Sequence, residues 1–365
     1  MNELYIGFMS GTSLDGVDAS LIRTNGVDKF TPIENIHISY PTVFRDKMRN
    51  LLTHIGPFLE LEKQLTEFHI EATQQILNKI KLNSKEIKAL GFHGQTLFHK
   101  PQEGLTLQIG NPHLLAKETG IDVVHDFRRR DVSLGGQGAP LVPIFHELLM
   151  QTQTPPVAVV NIGGVANITY VDKDSLVAFD TGPGGALIDD AMLEYFGKPF
   201  DNHGEIAASG KVDKLLVNKV LSRRYFSDPY PKSLDRNSFI FLKDEFSFHS
   251  PAEIIATLTY ITSASIAKAV FALPKIPTKL FLCGGGRQNT QMIAWIKEIL
   301  TQEKKGCKIE DISTINNLDP DYIESQAFAY LAARFFQNLP SAFPSTTNAS
   351  KDNICGCFVQ SSNND

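Results

Sequence analysis

A pattern that occurs twice constrains this chain more than any other feature. Leu4 to Met9 is an apolar run that reaches a polar, glycine-flanked tip, Ser10 to Gly16, and from Val17 to Leu21 apolar and polar residues then alternate. The reading is strand, tip, strand: an antiparallel hairpin with a long turn. After the polar, proline-bearing stretch Gln151 to Pro156 the pattern returns. Val157 to Ile162 is apolar, Gly163-Gly164-Val165-Ala166 makes a glycine tip, and Asn167 to Val171 alternates. One such hairpin opening each half describes a duplicated domain, an α/β chain with mixed sheets in two lobes. A length of 365 residues leaves each lobe room for its own core.

The remaining segments fill in that plan. Strands are expected at 87–92, 105–109, 121–124, 175–179 and 279–283. Helices are expected at 41–54, 61–80, 144–150, 186–196, 212–222, 252–273 and 321–338, the second from apolar residues recurring at steps of three and four. The expected domains are an N-terminal lobe at 1–150, a C-terminal lobe at 151–320 and a closing helix between lobes at 321–339. A Ser-, Thr- and Asn-rich stretch at 340–365 reads as a flexible tail.

Composition excludes several classes of function. With 35 basic and 40 acidic residues the net charge is -5, so there is no basic field for nucleic acid. No apolar run reads as long enough to span a membrane and no signal peptide opens the chain, so a cytoplasmic protein without a membrane partner is expected. The four cysteines form no disulfide framework, and Cys355-Gly356-Cys357 lacks a second pair of zinc ligands.

Chemistry-bearing residues gather at the ends of the expected strands, the edge at which open α/β sheets bind ligands. At the first tip, Gly11 and Gly16 can adopt positive φ and turn N–H groups toward an anion. Ser10, Thr12 and Ser13 add hydroxyls there, and Asp15 and Asp18 could hold magnesium. These are also ordinary turn residues, so a solvated tip fits equally well. Asp180, mounted between a strand and Thr181-Gly182-Pro183, suits a general base or an Asx-type turn cap. Arg128, Arg129 and Arg130 could clamp a carboxylate or phosphate, or pair with Asp126 and Asp131. Gly284 to Gly286 would let a flat group such as adenine approach the backbone. His93 and His99 lack the partners of a metal site, and neither a GxxxxGK[ST] nor a GxGxxG motif is present.

Taken in order, several motifs resemble the anhydro-N-acetylmuramic acid kinase family. They are Met9 to Gly16, Gly94-Gln95-Thr96, Gln108 to Pro112, Asp126 to Asp131 with Gly135 to Pro143, Asn161 to Gly164, Asp180 to Gly184 and Cys283 to Gly286 with Asn289. The resemblance implies two ribonuclease-H-like lobes of the actin-like ATPase kind with a nucleotide cleft between them. It implies a kinase that uses ATP, Mg2+ and water to open 1,6-anhydro-N-acetylmuramic acid and phosphorylate O6 during peptidoglycan recycling. By position, Gly11, Thr12, Ser13, Leu14, Asp15, Gly16, Val17, Asp18, Gly163, Gly164, Gly284, Gly285, Gly286 and Asn289 would meet ATP. Asp180 would be the catalytic base. His93, Asn111, the run Arg128 to Arg130 and Glu324 would meet the sugar. A homodimer is implied as well. Two departures stand out: Gly185 replaces the family's usual Asn, and Lys232-Ser-Leu-Asp-Arg-Asn237 replaces Lys-Ser-Thr-Gly-Arg-Glu. A kinase for another anhydrosugar such as levoglucosan, or a non-catalytic ATP-gated binding protein, are the rival readings.

Overall fold

The structure, a computed structural model, describes residues 3–53, 58–234, 236–302, 306–315 and 318–361. In chain order the first elements are β1 (Glu3–Ser10), β2 (Gly16–Thr24), β3 (Phe30–Ser39), α1 (Thr42–Thr53), α2 (Phe58–Ile80), β4 (Ile87–Lys100), β5 (Leu105–Ile109), α3 (Pro112–Thr119), β6 (Val123–His125), α4 (Arg129–Ser133) and α5 (Pro143–Met150). Next come β7 (Val157–Ile162), β8 (Val165–Asp172), β9 (Ser175–Pro183), α6 (Ala186–Phe196), α7 (Glu205–Ser209), α8 (Lys214–Leu221), α9 (Pro251–Phe271), β10 (Lys279–Cys283), α10 (Thr290–Gln302) and β11 (Lys308–Asp311). The chain closes with α11 (Ile323–Phe336), α12 (Pro344–Thr347) and β12 (Cys357–Val359). Two compact units result: Met1–Leu148 together with Tyr322–Asp365, and Leu149–Asp321.

The two sheets repeat one topology. The first runs β12-β6-β4-β1-β2-β3, with β5 hooked onto β4; the second runs β11-β10-β7-β8-β9. In each, the opening hairpin and its third strand are antiparallel, and the strand on the other side of the first is parallel to it and to the next. Five strands therefore correspond one to one. β3 and β11, for which no strand is expected from sequence, complete the match. β3 carries Pro32 and is exposed over its first half, so that its buried alternation is confined to Ile36 and Ile38, and β11 is charged with no buried residue.

In the first unit, α11 lies directly on the sheet because small residues form a row beneath it. Gly7 on β1 is in register with Ser20 on β2 and Gly91 on β4. A Cβ on Gly7 would stand 1.9 Å from the Ser325 carbonyl oxygen, and one on Gly91 2.2 Å from that of Phe328. The Ser20 hydroxyl bonds to that of Ser325. The helix expected as a separate closing segment is thus a core element of the first unit. In the second unit α9 plays the buried role. Ser250 and Glu253 cap it reciprocally and Pro251 sits in its first turn. At 21 residues α9 is long and apolar enough to cross a membrane, contrary to the expectation that no such run exists, but 83% of its 18-residue apolar stretch is buried within the second unit.

The segment after residue 339 also departs from expectation. Its described residues, to Ser361, are packed. β12 extends the first sheet by pairing antiparallel with β6, and Ala342 and Cys355 are fully buried. Residues 362–365 lie outside the described range. Polar composition misled here because the polar groups are used internally, as the network around Asp131 described below makes plain.

Candidate active site

The first tip is held by side chains. Leu14 takes the left-handed conformation (φ 57°) and its side chain is buried, plugging the turn into the core. Gly11 and Gly16 do not adopt positive φ, contrary to expectation. Gly16 is required for another reason, since a Cβ there would lie 2.2 Å from the Ile38 carbonyl oxygen on β3. Asp15 Oδ1 accepts from Ser13 Oγ at 2.8 Å and from the Gly16 N–H at 2.9 Å. Asp18 Oδ1 is 2.8 Å from His37 Nδ1, a pairing that raises the His37 pKa. Gln95 on β4 donates to the Gly11 carbonyl at 3.3 Å, a tie that the short motif Gly94-Gln95-Thr96 gave no means to foresee. Beneath the tip, buried Ser10 lies 3.2 Å from His69 Nε2, while His69 Nδ1 donates to the Leu65 carbonyl at 2.8 Å. Burial lowers the His69 pKa to about 4, so the ring is neutral and Nε2 accepts from Ser10. Val17 and Leu14, expected at the nucleotide, both turn their side chains into the core and can offer only backbone.

Asp15 and Asp18 each already commit one oxygen within the protein. Among the described residues no group of three or more His, Cys, Asp or Glu could hold a metal. Two carboxylates do not make an all-protein cage. They do suit a magnesium ion that keeps waters and takes its remaining ligands from phosphate oxygens.

The expected sugar-side residues separate into two groups. His93 lies within β4, which continues to Lys100 because β5 pairs with its extension. Its Nδ1 donates to the Gly94 carbonyl at 2.7 Å and its Nε2 accepts from Arg128 Nε at 2.8 Å. Burial, reinforced by the Arg128 charge, holds the His93 pKa well below its usual range. Arg128 Nη1 donates to the Gly138 carbonyl at 2.7 Å. Arg129 and Arg130, by contrast, are exposed, and Arg129 pairs with Asp126 at 3.5 Å. Of the three arginines, Arg128 alone converges with His93. Asn111 caps α3, its Oδ1 accepting from the Leu114 N–H at 2.9 Å. Glu324 is in the first turn of α11, in the same unit.

In the second unit the residues of interest cluster at the ends of β7, β9 and β10. Asp180 is buried within β9, and its Oδ2 accepts from the Leu234 N–H at 2.7 Å. Its backbone is clasped as well: its N–H donates to the Lys232 carbonyl at 2.9 Å and its carbonyl accepts from the Tyr225 hydroxyl. Lys232 Nζ in turn donates to the Tyr225 and Asp228 carbonyls at 2.7 and 2.9 Å, bracing the loop that wraps the aspartate. Partial burial lowers the Lys232 pKa, and burial with the nearby Asp180 and Asp228 charges raises that of Tyr225. Tyr225 has no sequence signal, because a loop folding back over a strand leaves no periodicity, and Leu234 is marked only as part of the Lys232 to Asn237 stretch. Asp235 lies outside the described residues, as do the side chains of Arg236 and Asn237.

The second tip is backbone throughout. The Gly163 carbonyl accepts from the Gly185 N–H at 2.7 Å, and the Gly164 carbonyl from the Gly184 N–H at 3.0 Å. A Cβ on Gly184 would stand 2.2 Å from the Gly163 oxygen, whereas one on Gly185 would meet nothing nearer than 3.6 Å. Glycine is thus obligatory at 184 and merely tolerated at 185. Gly284 (φ 75°) and Gly286 pack against Asn161 and Ile162 at the end of β7. Arg287 braces that loop through the Gly284 carbonyl, Asp311 and Asp321. Asn289 uses its Oδ1 to cap α10 at the Met292 N–H, 2.9 Å away.

The family model described as anhydro-N-acetylmuramic acid kinase matches residues 3–361. A protein named anhydro-N-acetylmuramic acid kinase from Bradyrhizobium diazoefficiens is 42% identical over 357 residues, covering 94% of this chain and 95% of that protein. One of the same name from Zymomonas mobilis is 41% identical over 365 residues, covering 94% and 96%. Among solved structures, component A of (R)-2-hydroxyglutaryl-CoA dehydratase from Acidaminococcus fermentans aligns with a TM-score of 0.45 at 12% identity, covering 91% of this chain and 99% of that one. That likeness is too distant to bear on function.

Proposed function

The chain belongs to the anhydro-N-acetylmuramic acid kinase family, and from that premise we propose that it converts 1,6-anhydro-N-acetylmuramic acid, ATP and water into N-acetylmuramic acid 6-phosphate and ADP in peptidoglycan recycling. The observation that carries the chemistry is the mounting of Asp180, whose carboxylate is oriented by the Leu234 N–H and whose backbone is clasped on both sides. A fixed carboxylate of this kind serves as a general base. Asp180 takes a proton from water as the water oxygen bonds to the anomeric carbon. The bond from that carbon to O6 breaks, O6 bonds to the γ-phosphorus, and ADP departs with the bridging oxygen.

The residues from Gly11 to Asp18 and the Gly163–Gly164 tip offer N–H groups and hydroxyls to phosphate oxygens, the main service a protein gives in phosphoryl transfer. Magnesium bound with ATP would neutralise charge on those oxygens, with Asp15 and Asp18 as its carboxylates. Gly284 to Gly286 and Asn289 take the adenosine. Arg128 and neutral His93, with Asn111 and Glu324, take the sugar; the guanidinium complements a lactyl carboxylate that levoglucosan lacks. ATP as donor favours the cytoplasm, and the family resemblance supports a homodimer.

A coupled ADP-release assay with mass analysis of the sugar product tests this. The expected result is one N-acetylmuramic acid 6-phosphate per ADP, with levoglucosan turned over far more slowly. ADP without a phosphosugar, or faster turnover of levoglucosan, overturns it.

A further inference from the structure

We propose that the C-terminal segment positions the sugar-binding arginine, with Thr347 and Asn353 acting on Arg128 through the buried carboxylate of Asp131. The inference rests on the reading above that Arg128 meets the sugar. Asp131 is completely buried. Its Oδ1 accepts from Thr347 Oγ1 at 2.7 Å and from Asn353 Nδ2 at 3.0 Å; its Oδ2 accepts from the Gly138 N–H at 2.7 Å. The carbonyl of that same Gly138 receives Arg128 Nη1 at 2.7 Å. One carboxylate and one residue thus join residue 353 to the guanidinium that also contacts His93.

The turn between them has little freedom to absorb a change. A Cβ on Gly136 would stand 2.2 Å from Asp131 Oδ2, and Gly138 holds φ 65°, where a Cβ would stand 2.7 Å from Val132 and 3.6 Å from the Arg128 Cβ. Two backbone bonds run alongside, from the Gln137 N–H to the Thr347 carbonyl at 2.6 Å and from the Ser350 N–H to the Leu134 carbonyl at 2.9 Å. A buried carboxylate stripped of its donors must find others or shift. Among the described residues the turn offers the Asp131 carboxylate the Gly138 N–H, so a shift displaces the carbonyl that holds Arg128. Anchoring the segment to the sheet edge is done elsewhere, by β12 on β6 and by Ser361 on Asp122. The Asp131 network is therefore not needed for attachment alone.

The test is steady-state kinetics of the full-length Thr347→Val and Asn353→Ala variants with each substrate varied separately, beside Thr347→Ser and Arg128→Ala. Loss of one hydrogen bond to a charged group predicts a rise of about tenfold in KM for the anhydrosugar, KM for ATP unchanged within about twofold, and near wild-type behaviour for Thr347→Ser. Equal rises in both KM values, or an unchanged sugar KM in a folded variant, overturn the inference. So does failure of both variants to fold, since the network would then be structural glue. If Arg128→Ala itself leaves the sugar KM unchanged, the sugar-side reading falls. If Arg128→Ala raises it and Thr347→Val does not, only the positioning role falls.

Discussion

The two units share one strand order but hold their glycine tips by opposite means. In the first, side chains do the work: Ser13 and Asp15 bond to each other, Leu14 is buried, and Gln95 reaches in from β4. In the second, the carbonyls of Gly163 and Gly164 accept from the N–H groups that open α6, and no side chain takes part in those bonds. A hairpin frame can thus be kept while its tip is specialised, toward carboxylates in one copy and toward bare backbone in the other. The units differ as well in what they bury. The first encloses His69, His93, His99 and His146, and burial lowers the pKa of each, to about 4 for His69 and His99 and about 3 for His146. The second buries the hydroxyls of Thr257, Thr262, Ser263 and Ser265 on α9 instead.

The sharpest way to break the comparison is to ask where turnover resides. Asp180→Asn in the second unit should lower kcat by about 10²–10⁴-fold while calorimetry shows ATP affinity unchanged within about twofold. Asp15→Asn in the first should chiefly weaken ATP binding. A variant at Asp180 with wild-type turnover would remove the base.

Acid should separate the units next. Below the ordinary histidine value of 6.5 the unfolded chain takes up protons that folded His69 and His99 refuse until about 4. Stability therefore rises with pH across that window and is lost on acidification, by about 3 kcal/mol for each such ring. The single tryptophan, Trp295, is on α10 of the second unit. Circular dichroism should thus fall at a higher pH than the Trp295 emission changes. Coincident transitions would mean that the units unfold together.

The smallest effect concerns the tips themselves. Gly184→Ala must move a carbonyl now 2.2 Å from the new carbon, whereas on Gly11 the nearest atom is Ser13 Oγ at 3.3 Å. Chemical denaturation should show a loss of about 1–3 kcal/mol for Gly184→Ala and clearly less for Gly11→Ala. Equal losses would deny that the second tip is the more tightly built.

Much of this was legible in the sequence, and the gaps have physical causes. Both hairpins and most helices announce themselves through local alternation and glycine placement, whereas Asp180, expected on a turn beyond the strand, lies within β9, which runs on to Pro183. β3 and β11 do not, because the apolar alternation of β3 is confined to Ile36 and Ile38 and β11 is charged with no buried residue. Arg128 cannot be told from Arg129 and Arg130 by composition, since its meeting with His93 is a tertiary fact. Leu14 and Val17 matched nucleotide positions by motif, yet their side chains serve the core. The segment after residue 339 reads as solvated until Asp131 is seen to need its donors.

The interrupted path of the first unit matters to a chain made from one end. On a ribosome, residues 149–321 are contiguous and emerge complete, while the sheet begun at Glu3 still lacks the helix that covers Gly7 and Gly91. Against the usual order in which the N-terminal part is completed first, the first unit cannot be complete before the second has been made. The face of the first sheet that carries Gly7 and Gly91 has no helix to cover it until α11 is made.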